Sequence, residues 1–462
     1  MLLEQESLLM RCWNELRRVS LGLSAAVLWL CGSAVLAQDL GNQAGVVVDA
    51  EGVLQMKVFS DPTGQLTQQR LSAAKASLDP KVSAYSKLRK ISLNRLEEAI
   101  RNRDGAATEE MRNLAGLLRV RYVFYYPESK DIVLAGPAEG WMTDIAGRVV
   151  GLTTRRPVVQ LQDAVVALRA FPPGKQPTRL IGCSIDPTEE GLAAMQQFLR
   201  TWGSRAVPQQ TMQIVEGLQT SLGAHTVSIS GIAPNTRFAQ VLVEADYRMK
   251  LIGIGLEQPP IRMVSYVDRA SPAQVSRNAL ERWFFVPDYE CVRVSEDKLA
   301  AELVGDGVKL VGEGELVTAE GKRQAGQSSN KASQAWTFEF TRRYPELAER
   351  SPVFAELRNL IDLTIAAAYI QQQDFYGKAG WRMELFGDEG KFTVQTYQTP
   401  KKAPAAINAL WRGNTLMTPI GGGVTIDAVA AVAQAKADEK GAVAKTYEQT
   451  QPKLAPGQWW WD

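Results

Sequence analysis

The densest run of strand-forming residues lies between Leu118 and Asp144. Val120, Tyr122, Val123, Phe124, Tyr125 and Tyr126 are β-branched or aromatic, which favours a pleated, half-buried strand. Pro127 to Asp131 reads as a turn, because Pro127 fixes φ and has no N–H to pair. Ile132 to Ala135 returns, and Gly136, Pro137 and Gly140 close the unit. The pattern predicts a hairpin that crosses the core of a domain. Alternation puts Tyr122, Phe124 and Tyr126 on one face and Val123 and Tyr125 on the other. Neither face is polar, so both need cover, expected from helices before and after the hairpin.

Before the hairpin, Gly45–Ala50 and Leu54–Phe59 read as strands, and Thr67 to Leu78 as a helix. Ser92 N-caps a helix through Leu93, Leu96 and Ile100, and Thr108 caps another through Met111, Leu114 and Leu118. Trp141–Thr143 and Val149–Thr153 form a strand pair. Further on, Asp163–Phe171 is helical, Leu180–Ile185 is a strand, and Pro187 starts a helix with Leu192, Met195 and Leu199 inward. Met212, Val215, Leu218 and Leu222 form the next helical stripe, and Thr226–Ile232 alternates as a strand.

Thr236 opens an amphipathic helix with Phe238, Val241, Leu242, Ala245, Met249 and Ile252 facing in. Its Glu244, Asp246, Arg248 and Lys250 are expected in water as i, i+4 pairs. Short strands follow at Trp283–Pro287, Glu290–Val294 and Leu299–Val304. Trp336, Phe340 and Tyr344 mark a helix interrupted at Pro345. Ser351 and Pro352 then start another, with Val353, Leu357, Leu360, Ile361 and Ile365 buried. Strands return at Trp381–Phe386, Lys391–Tyr397 and Gly423–Ile426. The predicted class is α+β, with mixed and antiparallel sheets covered by helices in two or three subdomains. The expected division is 1–37, 38–172, 173–318, a small polar linker at 319–333, 334–428, and a flexible tail at 429–462.

The first segment changes the picture most. Arg11, Arg17 and Arg18 precede an apolar run from Val19 to Ala37, and Val35-Leu36-Ala37 fits a small-residue cleavage site. The run is read as a cleaved signal segment, with an uncleaved anchor as the alternative. Its removal takes Cys12 and Cys31 and leaves Cys183 and Cys291, either as buried thiols or as one disulfide. Lys plus Arg is 52 against 50 for Asp plus Glu, without clustering, which argues against a nucleic-acid partner.

Histidine occurs once, at His225, so metal sites rich in histidine are excluded, and neither a metal nor a cofactor is expected. No HExxH, GxSxG or phosphate-loop spacing is present. Carboxylates are the remaining candidates for catalysis. Glu139 and Asp144 flank Trp141 after the hairpin, and Asp131 lies in its turn; a carboxylate pair beside an indole is how many sugar-cleaving sites are built. Trp141 and Asp131 are the candidate binding residues, and the alternative is ordinary turn acids with one packed indole. Trp459, Trp460 and Trp461 cannot all face one side, so at least one needs a partner in the fold, at a membrane interface or on another protein.

Four runs carry a resemblance: RVRYVFYYPESKDIVLAGPAEGW from Arg119, GCSIDPTEEGLA from Gly182, VLVEADYRMK from Val241 and SPVFAELRNLIDL from Ser351. Together they resemble an uncharacterised family of large exported planctomycete proteins, known only as a domain of unknown function. The resemblance implies export and one multi-part architecture, and it supplies no catalytic residues. The expected function is an exported, non-enzymatic protein that binds or organises an unidentified component of the cell envelope. The alternative is a carboxylate-dependent hydrolase, directed at glycans, using Glu139 and Asp144. Two carboxylates roughly 5 to 10 Å apart in a cleft with an exposed indole would favour the hydrolase. N-terminal sequencing of the exported protein is expected to start near Gln38; an intact Met1 in the membrane fraction would mean an anchor.

Overall fold

The computed structural model of the chain describes residues 42–202, 208–270, 279–317, 323–325, 331–408, 420–452 and 454–462. The expected signal segment, 1–37, lies outside them, as does most of the expected linker. The fold is α+β, with 40% helix and 24% strand. Tyr122–Tyr126 and Asp131–Ala138 form the expected hairpin, with Phe124 opposite Val133. It stands in a seven-stranded sheet. The order is Lys436–Ala437, Val292–Val294, Ala300–Leu303, the two hairpin strands, Ser86–Ser92 and Trp460–Trp461.

Both faces of the hairpin are covered, but the cover comes from an unexpected place. Val123 and Tyr125 belong to the main core, while Phe124 and Tyr126 pack with Ala300, Val443, Tyr447 and Trp461. Residues 429–462, expected as a flexible tail, are therefore part of the fold. Tyr447 stacks on Tyr126 at 4.8 Å, and its hydroxyl donates to the Tyr125 carbonyl at 2.9 Å. The Tyr126 hydroxyl donates to the Thr450 carbonyl at 3.0 Å. Trp460 pairs with Ile91, so the chain's last strand closes the sheet edge at Ser86–Ser92. Fully buried Arg89 donates to both carboxylate oxygens of Asp462 at 2.9 Å and stacks over Trp460. The polar composition of this segment hid four aromatic side chains with places to go.

A second seven-stranded sheet runs Arg323–Ala325, Val308–Val317, Ala279–Pro287, Ile420–Ile426, Ile181–Asp186, His225–Ser230, Lys402–Ala403. Among the described residues its only parallel pair is Ala279–Pro287 with Ile420–Ile426, where Gly422 faces Trp283. A Cβ on Gly422 would meet the Trp283 carbonyl oxygen at 1.9 Å, so only glycine allows the strands to pair here. Segment 173–318 supplies strands to both sheets, because Ala300–Leu303 pairs with the hairpin at Phe124 and Val123. Leu93, Phe238, Trp283 and Leu357 share one core, so the linear boundary near Pro172 does not divide it.

Several local expectations change. Arg323–Ala325, inside the expected linker, pairs with Val308–Val317, and Lys331 to Ser333 opens the helix Lys331–Arg350. Pro345 lies within that helix and does not end it. The Thr108-capped helix stops at Arg112, and Leu114 and Ala115 take φ of 42° and 49°. Trp381–Phe386 and Lys391–Tyr397 are not strands. Instead the buried Glu97 carboxylate accepts from the backbone N–H of Leu385 and Phe386 and from the Trp381 indole at 2.8, 2.6 and 2.5 Å. One side chain satisfies the donors that a strand partner would otherwise take.

The helix Pro352–Gln372 is buried from Val353 to Ile370, including Glu356, Arg358 and Asp362. On the neighbouring helix Arg237–Gly253, the charges expected in water are buried too: Glu244 6%, Asp246 0%, Arg248 6% and Lys250 1% exposed. An interior chain of ion pairs explains this. Glu356 takes Arg148 and Arg237; Arg237 also takes Asp163. Arg148 reaches Glu244 at 2.5 Å, and Arg248 joins Glu244 at 3.6 Å to Glu257 at 2.6 Å. Lys250 donates to Asp246 and to the carbonyls of Ile185 and Gly422 at 2.8, 2.9 and 3.0 Å. An i, i+4 pair looks the same in sequence on a wet face and in a core; Arg148 and the strand carbonyls decide between them.

Phe124→Ala is expected to cost about 3 to 5 kcal/mol in urea denaturation, because Phe124 is fully buried between strands and tail. Burial pushes the Asp163 carboxyl up to about 6, with Arg237 opposing the shift and Glu356 adding to it. In the unfolded chain it titrates near pH ~4. Between those values the folded state binds the extra proton, so this group lowers stability as pH rises from about 4 to 6. Denaturation midpoints across that window should fall less steeply with pH in Asp163→Asn than in the wild type.

Candidate anion-binding pocket

The residues singled out from the sequence are held by the fold. Glu139 is 1% exposed, and its carboxylate accepts from the N–H of Thr153 and Thr154 and from the Thr154 hydroxyl at 3.3, 2.8 and 2.6 Å. It clasps the loop after Val149–Gly151. Asp144 accepts from the N–H of Ala146 and Arg148 at 2.9 and 2.8 Å, which closes the turn between two short strands. Burial raises its carboxyl above the usual range, against the hydrogen bond from Arg148. Trp141 packs on Val82, Leu118 and Val158. Asp131 is fully buried and accepts from the Ser92 hydroxyl at 2.6 Å and Arg95 at 2.6 and 3.1 Å.

Cys183 and Cys291 are both free and buried, so the disulfide weighed from the sequence is not formed. Cys183 lies on the second sheet, and Cys291 directly precedes a strand of the hairpin sheet. Burial pushes the Cys291 thiol up to about 12, with Asp362 adding to the shift, which makes it inert at neutral pH. Of the C-terminal indoles, Trp459 is buried and Trp460 and Trp461 are partly buried against the hairpin sheet.

Two cavities have substantial volume, and Glu139, Trp141, Asp144 and Asp131 line neither. The larger, about 580 Å³, lies between the helix Leu161–Ala170, Thr236 and residues 389–396. Two of its polar side chains are engaged in the fold. Arg169 donates to the carbonyls of Phe386 and Phe392 at 2.7 and 2.5 Å, and Thr236 caps the Arg237–Gly253 helix.

The smaller cavity, about 300 Å³, is chemically distinctive. Lys87, Arg119, Arg121, Arg156 and Arg358 line it, and no carboxylate does. Arg119 and Arg358 are 7% and 8% exposed and form its floor; Arg121 and Arg156 are half-buried, and Lys87 is exposed at the rim. The carboxylates stand behind the wall. Arg119 Nε donates to Asp362 at 2.7 Å, Arg121 to Glu302 at 3.2 Å and Arg156 to Glu349 at 2.6 Å, while Arg358 Nη1 lies 3.7 Å from Asp306.

Two nitrogens are left over. Nη2 of Arg119 and Nε of Arg358 are buried away from the cavity surface, without an acceptor among the described residues. Charged groups held in a floor with incomplete pairing are costly, so an anion against these two guanidiniums would be favourable. The two guanidiniums also act on each other. Burial, and then the charge of Arg119, lower the pKa of Arg358. Burial works the same way on Arg119, but Asp362 outweighs it and holds that group above its usual value.

The wall carries no histidine, cysteine, serine or carboxylate. Its one hydroxyl, on Tyr122, donates to Glu302 at 3.1 Å, and burial raises its pKa, with Glu302 adding to the shift. The arrangement can hold an oxyanion. Among the described residues, no cluster of three or more His, Cys, Asp or Glu is placed to hold a metal ion, and no helix is long and apolar enough to cross a membrane.

Sequence reasoning missed this site. Arg119 and Arg121 stand two apart ahead of the strand, which puts them on one side of an extended chain. That was the available signal; Arg156 and Arg358 arrive from distant segments.

Comparison with known proteins gives one match. Residues 183–266 match the family described as a protein of unknown function, DUF1598. The matched stretch holds the helix Arg237–Gly253 with its buried charges, and the residues lining the cationic cavity lie outside it. No curated protein and no solved structure matches the chain. Over this stretch the chain is therefore similar to an uncharacterised family, and that similarity brings no assigned activity to the pocket.

Proposed function

We propose that the protein is an exported, non-enzymatic binding protein of the cell envelope that holds a small anionic ligand in the cationic cavity. One observation carries the binding part: Lys87, Arg119, Arg121, Arg156 and Arg358 converge on a cavity whose wall has no carboxylate. Guanidinium groups match the oxygens of phosphate and carboxylate, and charge-assisted hydrogen bonds are the strong ones. Export rests on the apolar run Val19–Ala37 behind Arg17 and Arg18, and on the resemblance to exported planctomycete proteins. The engagement of Glu139 by three donors, and of Asp144 within its own turn, favours binding over hydrolysis.

Calorimetry with inorganic phosphate at low ionic strength is expected to show saturable binding that weakens as salt is added. Arg358→Gln should weaken it about tenfold or more, since a hydrogen bond to a charged group contributes about 1.5 to 3 kcal/mol. Arg358 is the better choice than Arg119. Its partner Asp306 is 34% exposed, whereas Arg119→Gln would strand the fully buried Asp362. Absence of saturable binding by the wild-type protein would overturn the proposal.

A further inference from the structure

The cavity has more than cations on its wall. Leu88, Leu118, Tyr122 and Pro137 line it as well. Leu118 is 2% exposed, and the Tyr122 ring is half-buried and stacked on Phe124 with centroids 5.4 Å apart. A bare inorganic ion has no use for the half-buried surfaces of Leu88, Tyr122 and Pro137. The volume of about 300 Å³ falls at the lower end of the range in which small organic ligands are bound. Aromatic and aliphatic walls with a few converging polar groups are the usual make-up of such sites.

The charge of the ligand can be narrowed too. Arg119 and Arg358 form its floor, and three further cations, Lys87, Arg121 and Arg156, line it with them. A carboxylate brings one charge and two oxygens. A phosphomonoester brings close to two charges at neutral pH and three strong acceptor oxygens, so it can serve both floor guanidiniums and still face the rim.

Resting on the anion-binding reading, we infer that the pocket recognises a small soluble organic phosphomonoester. Its phosphoryl group meets Arg119 and Arg358, and an apolar or aromatic arm lies against Tyr122, Leu88 and Pro137. Binding is non-covalent, and no bond in the ester is broken.

Calorimetry of the wild-type protein with phenyl phosphate, inorganic phosphate and benzoate, at one pH and ionic strength, tests this. Phenyl phosphate should bind at least tenfold more tightly than either of the others. Tyr122→Ala should remove most of the advantage over inorganic phosphate while leaving inorganic phosphate affinity within about threefold, and circular dichroism checks that the variant is folded; the three-ligand series on the wild type decides the matter if it is not. Equal affinity for phenyl phosphate and inorganic phosphate would overturn the organic arm and leave the anion-binding reading intact. Equal affinity for benzoate and phenyl phosphate would overturn the phosphoryl assignment. No binding of any of the three would overturn the anion-binding reading itself.

Discussion

Charge taken out of water must meet opposite charge, and the helix Pro352–Gln372 imposes that condition on the whole molecule. It is buried along nearly its full length yet carries Glu356, Arg358 and Asp362. Desolvating an ion costs several kcal/mol even after relaxation, and an unpaired one is worse. The partners come from three distant places: Arg148 from the turn after Trp141–Thr143, Arg237 from the neighbouring helix, and Arg119 from the approach to the hairpin. Pairing therefore fixes the position of each of these elements against one helix. Specificity of arrangement is the plausible gain, since hydrophobic residues of similar volume could fill the same space at no greater cost.

The cationic cavity follows from the same condition. Around Arg119 and Arg358 the one fully buried carboxylate is Asp362, whose closest cation is Arg119. Asp306 stands further off and partly in solvent. Each guanidinium of the cavity wall thus has a carboxylate beside it, yet none of those carboxylates lines the cavity. The carboxylates that looked catalytic are engaged elsewhere: Glu139 holds a loop, Asp144 a turn, and Asp131 ties Arg95 and Ser92 to the hairpin.

Where a residue's role depends on near neighbours in sequence, it was legible. The hairpin, its two faces, the helix from Thr236 and the start at Ser351–Pro352 follow from alternation, helical spacing and capping. What depended on partners far away was not. Asp246 and Lys250 have the spacing of a surface pair, but the carbonyls of Ile185 and Gly422 take the lysine inside. Trp381–Phe386 has strand composition, but Glu97 engages its N–H groups first. The pocket gathers residues from 87 to 358, and only Arg119 and Arg121 show their shared side locally.

The docked C-terminal segment has a consequence for how the chain folds. Phe124 and Tyr126 are covered by Val443, Tyr447 and Trp461, and the Tyr126 contact with Thr450 spans 324 positions. Contacts of such separation form late, because a long loop must close before they give anything back. During synthesis the hairpin is complete long before its cover exists, and until then it presents a bare aromatic face and an unpaired edge at Ser86–Ser92. Such surfaces are where nascent chains aggregate. Docking of Val443, Tyr447, Trp460 and Trp461 is thus the step that covers this face and closes this edge.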